Sequence, residues 1–147
     1  MKALTRYFGE MEYQDEAVVH FPSGLPAFDE ETRFLLIERS STAPLVFLQS
    51  LLHPELCFLT LPILAVDPAY RISINAADLR ALDLDSTRQP LIGTEVLCLA
   101  VIAAGEQGSS ANLLAPVIVN PATQRGLQAI RVDLEYSPQH PLEKTCS

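Results

Sequence analysis

The chain has 147 residues, a length that favours one folded domain over residues 1–147. Hydrophobic residues make up 48% of the sequence and charged residues 19%, which is typical of a globular protein and excludes a disordered chain. Ten basic and eighteen acidic residues give a net charge of −8 at pH 7. This charge disfavours nucleic acid and anionic membranes as direct ligands and favours a basic protein as partner.

Frequent turn signals divide the chain into short segments, since it contains eleven prolines and six glycines. Between them lie runs rich in Val, Ile, Leu and Phe at the length of β-strands. Four runs are apolar at both odd and even positions, which predicts strands covered on both faces at the centre of the core. In chain order they are residues 34–37, 45–48, 56–61 and 96–104.

Two other segments alternate between apolar and polar residues, as expected of strands with one face in the core and one in water. The first is residues 70–75, with Tyr70, Ile72 and Ile74 toward the core. The second is residues 130–135, whose polar face is predicted to be mostly acidic and exposed. Its apolar residues are Ile130, Val132 and Leu134, and its polar residues are Arg131, Asp133 and Glu135.

Only one helix is predicted. Asn75 can cap a short helix that begins at Ala76, with Asp78 close to the positive N-terminal end. Pro62 and Pro116 interrupt apolar runs, and we expect them at edges, bulges or strand starts because proline donates no hydrogen bond to a ladder.

These elements predict an all-β fold, a compact antiparallel β-barrel or barrel-like sandwich of about eight short strands with one short helix. A parallel α/β sheet is excluded because the helices that it needs between strands are missing. The tail from about residue 136 is predicted to dock irregularly or to be mobile.

The cysteines carry no metal-binding signal. Cys57, Cys98 and Cys146 are odd in number and widely separated, and no histidine is spaced to complete a zinc site. The pattern favours reduced thiols in a cytoplasmic protein, and the N-terminal residues include no apolar stretch of signal-peptide length. We therefore expect no metal and no cofactor.

No catalytic constellation is predicted, and we expect the protein not to be an enzyme. His20, His53 and His140 accompany no nucleophile in a known local frame, so surface or structural roles are expected. The acidic run at residues 29–31 is expected to be a solvated turn. Residues 105–110 contain glycines without the lysine of a phosphate-binding loop, which favours a flexible connection.

Ordered blocks of the sequence resemble one known family. The blocks are residues 5–10 (TRYFGE), 21–29 (FPSGLPAFD), 47–50 (FLQS), 54–58 (PELCF), 67–70 (DPAY), 110–120 (SANLLAPVIVN), 126–128 (GLQ) and 136–142 (YSPQHPL). In this order, across nearly the whole chain, they are similar to FliW, the flagellar assembly factor of bacteria. Four positions depart from that family's pattern. Ala27 stands where glycine is usual, Ser110 where threonine is usual, Leu114 where lysine is usual and Gln139 where arginine is common.

The resemblance implies a β-barrel with little helix and a function in partner switching. FliW-like proteins bind CsrA, a small basic dimeric RNA-binding regulator that represses translation of flagellin mRNA, and they also bind flagellin. Accumulated flagellin would occupy the protein and free CsrA, and export of flagellin would let the protein recapture CsrA. The resemblance thus implies CsrA and flagellin as partners, with no direct nucleic-acid or membrane contact.

Charge and predicted exposure select four acidic residues as a surface for CsrA. They are Glu10, Glu12, Asp133 and Glu135. Four polar residues match family motif positions, and for these a scaffold role is favoured because buried amides usually satisfy backbone groups. They are Asn112, Asn120, Gln128 and Tyr136. Asn112 and His140 lie in segments predicted to be irregular, which favours them as further partner-binding residues.

Two other functions stay open from the sequence: a small ligand-binding β-barrel, and an export chaperone that does not bind CsrA. The absence of polar side chains from residues 96–104 weighs against an internal ligand pocket. Retention of CsrA, of flagellin alone, or of neither in a pull-down distinguishes these functions.

Overall fold

The structure, a computed structural model, describes residues 1–106, 108–131, 133 and 135–142. In chain order its strands are β1 (Lys2–Thr5), β2 (Gly9–Glu12), β3 (Val18–His20), β4 (Arg33–Glu38), β5 (Val46–Ser50), β6 (Cys57–Pro62), β7 (Leu97–Gly105), β8 (Gly108–Asn120), β9 (Arg125–Gln128) and β10 (His140–Pro141). Its α-helices are α1 (Ile63–Val66) and α2 (Ala76–Ala81), and its short 3-10 turns are Asp15–Ala17 and Ser40–Thr42.

Seven strands close a barrel, in the order β3, β4, β5, β6, β7, β8 and β9, with β9 returning to β3. All of these pairs are antiparallel except the last, a parallel bridge between His20 and Arg125. The His20 backbone N–H also donates to the carbonyl of Gln124 at 2.8 Å. The predicted all-β barrel is confirmed, and its closing pair is parallel.

The hairpin of β1 and β2 forms a separate two-stranded sheet. Ala3 on β1 joins Leu35 and Ile37 of β4 in one buried cluster, while Phe34 of β4 packs in a second cluster with Leu48. Successive residues of a strand point to opposite faces, so β4 is covered on both. This coverage explains why residues 34–37 are apolar at both odd and even positions, as predicted.

The segment 70–75 keeps its predicted alternation of burial without being a strand. Tyr70 and Ile74 are buried, and Arg71 is exposed. Side chains replace the expected ladder: Gln89 accepts from the Ile74 backbone N–H at 2.7 Å and donates to the Ile74 carbonyl at 3.0 Å. The strand prediction is therefore wrong here because a side-chain amide satisfies the backbone.

The strand predicted at residues 130–135 is also wrong, and Ile130 and Arg131 lie on faces opposite to those predicted, whereas Asp133 and Glu135 are exposed as expected. Ile130 is 56% exposed, whereas Arg131 is 5% exposed. Backbone hydrogen bonds from Ala129 to Pro116 and from Arg131 to Leu114, each 2.9 Å, fix the segment along β8 in the register that turns Arg131 inward. Val132 and Leu134 lie outside the described residues.

The predicted helix is present as α2. The Asn75 side chain accepts from the backbone N–H of Asp78 at 2.8 Å, as expected of an N-cap. A second helix, the single turn α1, was not predicted, and it begins directly after Pro62 ends β6. Pro116 lies in an irregular part of β8, as predicted. Pro62 lies at the end of β6, not at an edge, a bulge or a strand start, because the chain leaves the ladder there to form α1.

Parts of β6 and β7 are not covered on both faces, contrary to the prediction for residues 56–61 and 96–104. Leu59 is 38% exposed, and Ala103 and Ala104 are exposed. The reason is that β6 stops pairing with β7 at Val101, while β7 continues beside β8 as far as Gly105.

The segment from Tyr136 to Leu142 docks against β8. Ser137 accepts from the Leu113 backbone at 3.0 Å, β10 pairs with β8, and the Leu142 N–H donates to Ser109 at 3.0 Å. The tail is therefore docked as far as Leu142, in part as a strand. None of the helices in the described residues has the length and apolar character to span a bilayer.

Candidate protein-binding surface

A large bulge in β8 organises the surface that holds most of the predicted partner-binding residues. Leu99 pairs with Val117 and Val101 pairs with Asn112, so four residues of β8 lie opposite a single residue of β7. The Asn112 side-chain oxygen accepts from the backbone N–H groups of Leu114 and Ala115, each at 3.0 Å. Asn112 thus holds the bulge in shape.

An arginine stacked on two tyrosines packs next to the bulge. The Arg131 guanidinium lies 5.4 Å from the ring centroid of Tyr70 and 4.7 Å from that of Tyr136, and the two rings lie 4.5 Å apart. The Tyr70 hydroxyl donates to the Leu113 carbonyl at 3.1 Å. This group ties residues 70, 131 and 136 to β8.

Asp133 neutralises the buried guanidinium through two hydrogen bonds, of 3.0 and 2.6 Å. Burial opposes the charge on Arg131, but the hydrogen bonds with Asp133 and Tyr70 outweigh it, so the pKa of Arg131 lies above its usual value. The same hydrogen bond from Arg131 lowers the pKa of Asp133. Asp133 is therefore committed to Arg131, while the Glu135 side chain, 3.9 Å from that guanidinium, is 66% exposed.

The structure places four of the six predicted partner-binding residues around this bulge. His140 on β10 pairs with Ala111, the neighbour of Asn112, and Asp133 and Glu135 both approach Arg131. A cavity of about 390 Å³ adjoins this region, lined by Pro44, Leu61, Ala65, Val66, His140, Pro141 and Leu142.

The other two predicted residues, Glu10 and Glu12, lie on β2 in the separate hairpin. Both are exposed; Glu10 forms an ion pair with Lys2 at 3.1 Å, and Lys2 lies opposite Glu12 in the hairpin. The acidic surface predicted from charge is thus two patches, one on the hairpin and one beside the bulge.

Asn120 and Gln128 serve the scaffold. The Asn120 amide is buried, donates to the Leu82 carbonyl at 2.7 Å and accepts from Ala122 at 3.0 Å. The Gln128 amide donates to the Ala115 carbonyl inside the bulge at 2.8 Å. Both side chains satisfy backbone groups, which agrees with the role favoured from sequence.

Residues 29–31 were expected to form a solvated turn, and Asp29 and Glu30 are exposed in a turn, but Glu31 belongs to a buried cluster. The Glu31 side chain is 1% exposed and accepts hydrogen bonds from the Ser50 hydroxyl and from Nδ1 of His53, the latter at 2.8 Å. Ser50 Oγ also accepts from the backbone N–H groups of Leu52 and His53. These hydrogen bonds connect the turn after β5 to the segment that precedes β4.

The Glu31 hydrogen bond raises the pKa of His53, and the negative charges of Glu55 and Glu30 act in the same direction. The Ser50 hydroxyl donates to Glu31, so the histidine does not activate it as a nucleophile. The arrangement is a structural ion pair.

Burial makes the two described thiols poor nucleophiles and poor metal ligands. It raises the pKa of Cys57 to about 11 and that of Cys98 to about 12. Over the ranges described by the structure, no group of three metal-ligating side chains is present. Cys146 lies outside the described residues.

The sequence did not predict the stacking of Arg131 on Tyr70 and Tyr136, nor the buried cluster around Glu31. The alternation of residues 130–135 predicts an exposed Arg131, whereas the position of Tyr136 in a family motif block is the one sequence signal for this group. Glu31 and Ser50 are 19 positions apart, and no local pattern predicts that pairing.

Comparison with known proteins gives one consistent family. Residues 2–142 match the family model described as FliW protein. The chain is 37% identical over 142 residues to the flagellar assembly factor FliW of Syntrophomonas wolfei, covering 97% of this chain and 88% of that relative. It is 31% identical over 138 residues to the Bacillus subtilis protein of the same name, covering 94% of each.

A solved structure shows the same architecture. The crystal structure of the flagellar assembly factor FliW superposes with a TM-score of 0.85 at 28% sequence identity. The match covers 98% of each chain. The overall fold of the chain is therefore one already seen by crystallography.

Proposed function

The chain belongs to the FliW family, and on that premise we propose that it is a flagellar assembly factor that acts by holding protein partners and not by catalysis. The observation that carries this proposal is the family match over residues 2–142. The relatives named above are called flagellar assembly factors.

The partners that we propose are CsrA and flagellin, in the cytoplasm where both are synthesised. Flagellin that accumulates before export occupies the protein and releases CsrA, which then represses flagellin translation. Export of flagellin frees the protein to bind CsrA again. The switch needs no conformational change, because competition for a limited pool follows from mass action.

The charge of the molecule supports a basic partner such as CsrA. Glu10, Glu12 and Glu135 are exposed carboxylates on a chain with a net charge of −8. Such charges at the rim of an interface raise the association rate, and this effect weakens as salt screens them. The half-buried His140 lies near the bulge, beside the acidic patch that contains Glu135.

Charge reversal tests this proposal. The variant replaces Glu10, Glu12, Asp133 and Glu135 with lysine, and titration with purified CsrA is followed at low and high salt. We expect affinity for CsrA to fall by at least about tenfold and its salt dependence to be lost. Circular dichroism and thermal melting check the fold, because Asp133 also supports Arg131.

A matched control carries the same change of net charge elsewhere on the exposed surface. It replaces Asp29, Glu38, Glu55 and Glu106 with lysine. An equal loss of CsrA binding in both variants would show that only net charge matters and would reject the two patches as the binding surface. Unchanged binding in the first variant would reject it as well.

A further inference from the structure

Strands β6 and β7 separate before either ends. Their ladder joins Thr60 to Val101 and Pro62 to Leu99 and goes no further toward the start of β6. Beyond it, β7 continues beside β8 to the pair of Gly105 and Gly108. Each of the two strands therefore extends past their common ladder.

The parts of β6 and β7 beyond the ladder each have one edge without a pairing strand among the described residues. In the part of the chain that the structure describes, residues 57–59 of β6 pair only with β5, and residues 102–105 of β7 pair only with β8. Alternate residues of an antiparallel strand turn both their N–H and C=O groups to the same edge. Each edge thus has backbone N–H and C=O groups with which a further strand can pair.

An apolar cavity of about 430 Å³ opens beside the edge of β6. It is lined by Tyr7, Phe8, Phe47, Cys57 and Leu59. The Phe8 and Phe47 rings meet edge to face with centroids 5.0 Å apart, which fixes one wall. Leu59 is 38% exposed and Tyr7 is 63% exposed, so the cavity is open to an incoming side chain.

Two arginines border the cavity. The Arg6 guanidinium lies 5.9 Å from the Tyr7 ring centroid, and that of Arg39 lies 5.0 Å from the Phe8 centroid. Among the described residues neither guanidinium forms an ion pair with a carboxylate. The two guanidinium groups are therefore available to a carboxylate of a bound segment.

We propose that the edge of β6 at residues 57–59, together with this cavity, docks an extended segment of another protein that carries alternating apolar side chains flanked by a carboxylate. The segment adds a strand to β6. Its alternate side chains enter the cavity against Leu59 and Phe47, and its carboxylate meets Arg6 and Arg39. Main-chain pairing with pockets for every second side chain is an established mode of peptide recognition.

The chemistry of this segment is opposite to that of the basic partner proposed for the acidic patches. The docking site therefore goes beyond the proposed function. It rests on three observations of its own: an open strand edge, an apolar cavity and two arginines. A second copy of the chain and a basic peptide are the competing occupants.

The test uses the full chain and synthetic peptides of alternating apolar residues and threonine, with Val, Leu, Ile or Phe at the apolar positions. Each peptide is made with glutamate at its ends and, as a match, with lysine. Fluorescence anisotropy should show binding of at least one glutamate-flanked peptide, tighter than its lysine match by about tenfold. The absence of binding by every peptide up to about 1 mM, or a preference for lysine, overturns the proposal.

Two modified versions of the best peptide test strand pairing. In a paired peptide strand, alternate residues turn their backbone N–H groups toward β6. N-methylation of these nitrogens should abolish binding, whereas N-methylation of the residues between them, whose N–H groups point away from β6, should not. Equal effects of both sets would overturn the addition of a strand.

Protein variants locate the site. The double variant Arg6→Glu and Arg39→Glu should weaken the glutamate-flanked peptide by about tenfold, while the control Arg71→Glu and Arg80→Glu should not. Leu59→Lys should weaken binding, while Leu91→Lys, at a residue that is 63% exposed, should not. If the chain dimerises without peptide and Leu59→Lys abolishes the dimer, the edge binds a second copy of the chain, and the proposal is overturned.

Discussion

A tight turn at residues 25–28 holds a non-glycine residue in the left-handed region. The Leu25 N–H donates to the Phe28 carbonyl at 3.1 Å, and the Phe28 N–H donates to the Leu25 carbonyl at 2.7 Å. Pro26 takes the first central position and Ala27, with φ of 69°, the second. This is the pattern of a type II turn, which favours glycine at that second position. We therefore predict that Ala27→Gly stabilises the protein.

The expected gain is the difference between two effects. A residue with a Cβ in the left-handed region is destabilised by about 1–2 kcal/mol, and glycine removes this strain. Glycine also gives the unfolded chain more freedom, which lowers stability by about 0.5–1 kcal/mol. The net gain in the free energy of unfolding is about 0.5–1 kcal/mol, or a rise of about 2–3 °C in Tm for a domain of this size.

Urea denaturation of the wild type and of Ala27→Gly measures this difference, with thermal melting as a second readout. Ala77→Gly is the matched control, because Ala77 is exposed inside α2, where glycine should lower stability by about 1 kcal/mol. A loss of stability in Ala27→Gly similar to that in the control would refute the assignment of strain to this turn.

Two predictions follow from side chains that bind buried polar groups. His53 has a raised pKa beside Glu31, so it stabilises the fold fully below its unfolded pKa of about 6.5, and this contribution disappears as the pH rises through its folded pKa. Urea unfolding at about pH 6 and about pH 8 should therefore show a smaller difference in His53→Gln than in the wild type, and an identical difference would contradict the ion pair. Asn120→Ala removes the amide that satisfies the Leu82 carbonyl and should lower the free energy of unfolding by about 2–3 kcal/mol, measured by the urea midpoint; an unchanged midpoint would rule out that role.

Local signals predicted local structure. Asn75 identified the start of α2, because an N-cap acts on a backbone group three residues away. The apolar run at residues 34–37 predicted a strand covered on both faces, since no other location satisfies both of its faces. The ordered motif blocks identified the family, which residues 2–142 confirm.

Pairings between distant parts of the chain could not be predicted in the same way. The faces of residues 130 and 131 are set by backbone bonds to Pro116 and Leu114, not by their own alternation. Gln89 takes the place of a strand at Ile74 across 15 positions, and Glu31 finds its partners beyond β4. These contacts depend on how the barrel closes, which local hydrophobic patterns do not encode.

Competition between the two proposed partners tests the central claim most directly. Size-exclusion chromatography of the purified chain with CsrA, repeated after addition of flagellin, reports which protein co-elutes. The account predicts a complex with CsrA that flagellin converts into a complex with flagellin, leaving CsrA in its own peak. Separate elution of all three proteins at micromolar concentration, or CsrA that stays bound in excess flagellin, would contradict it.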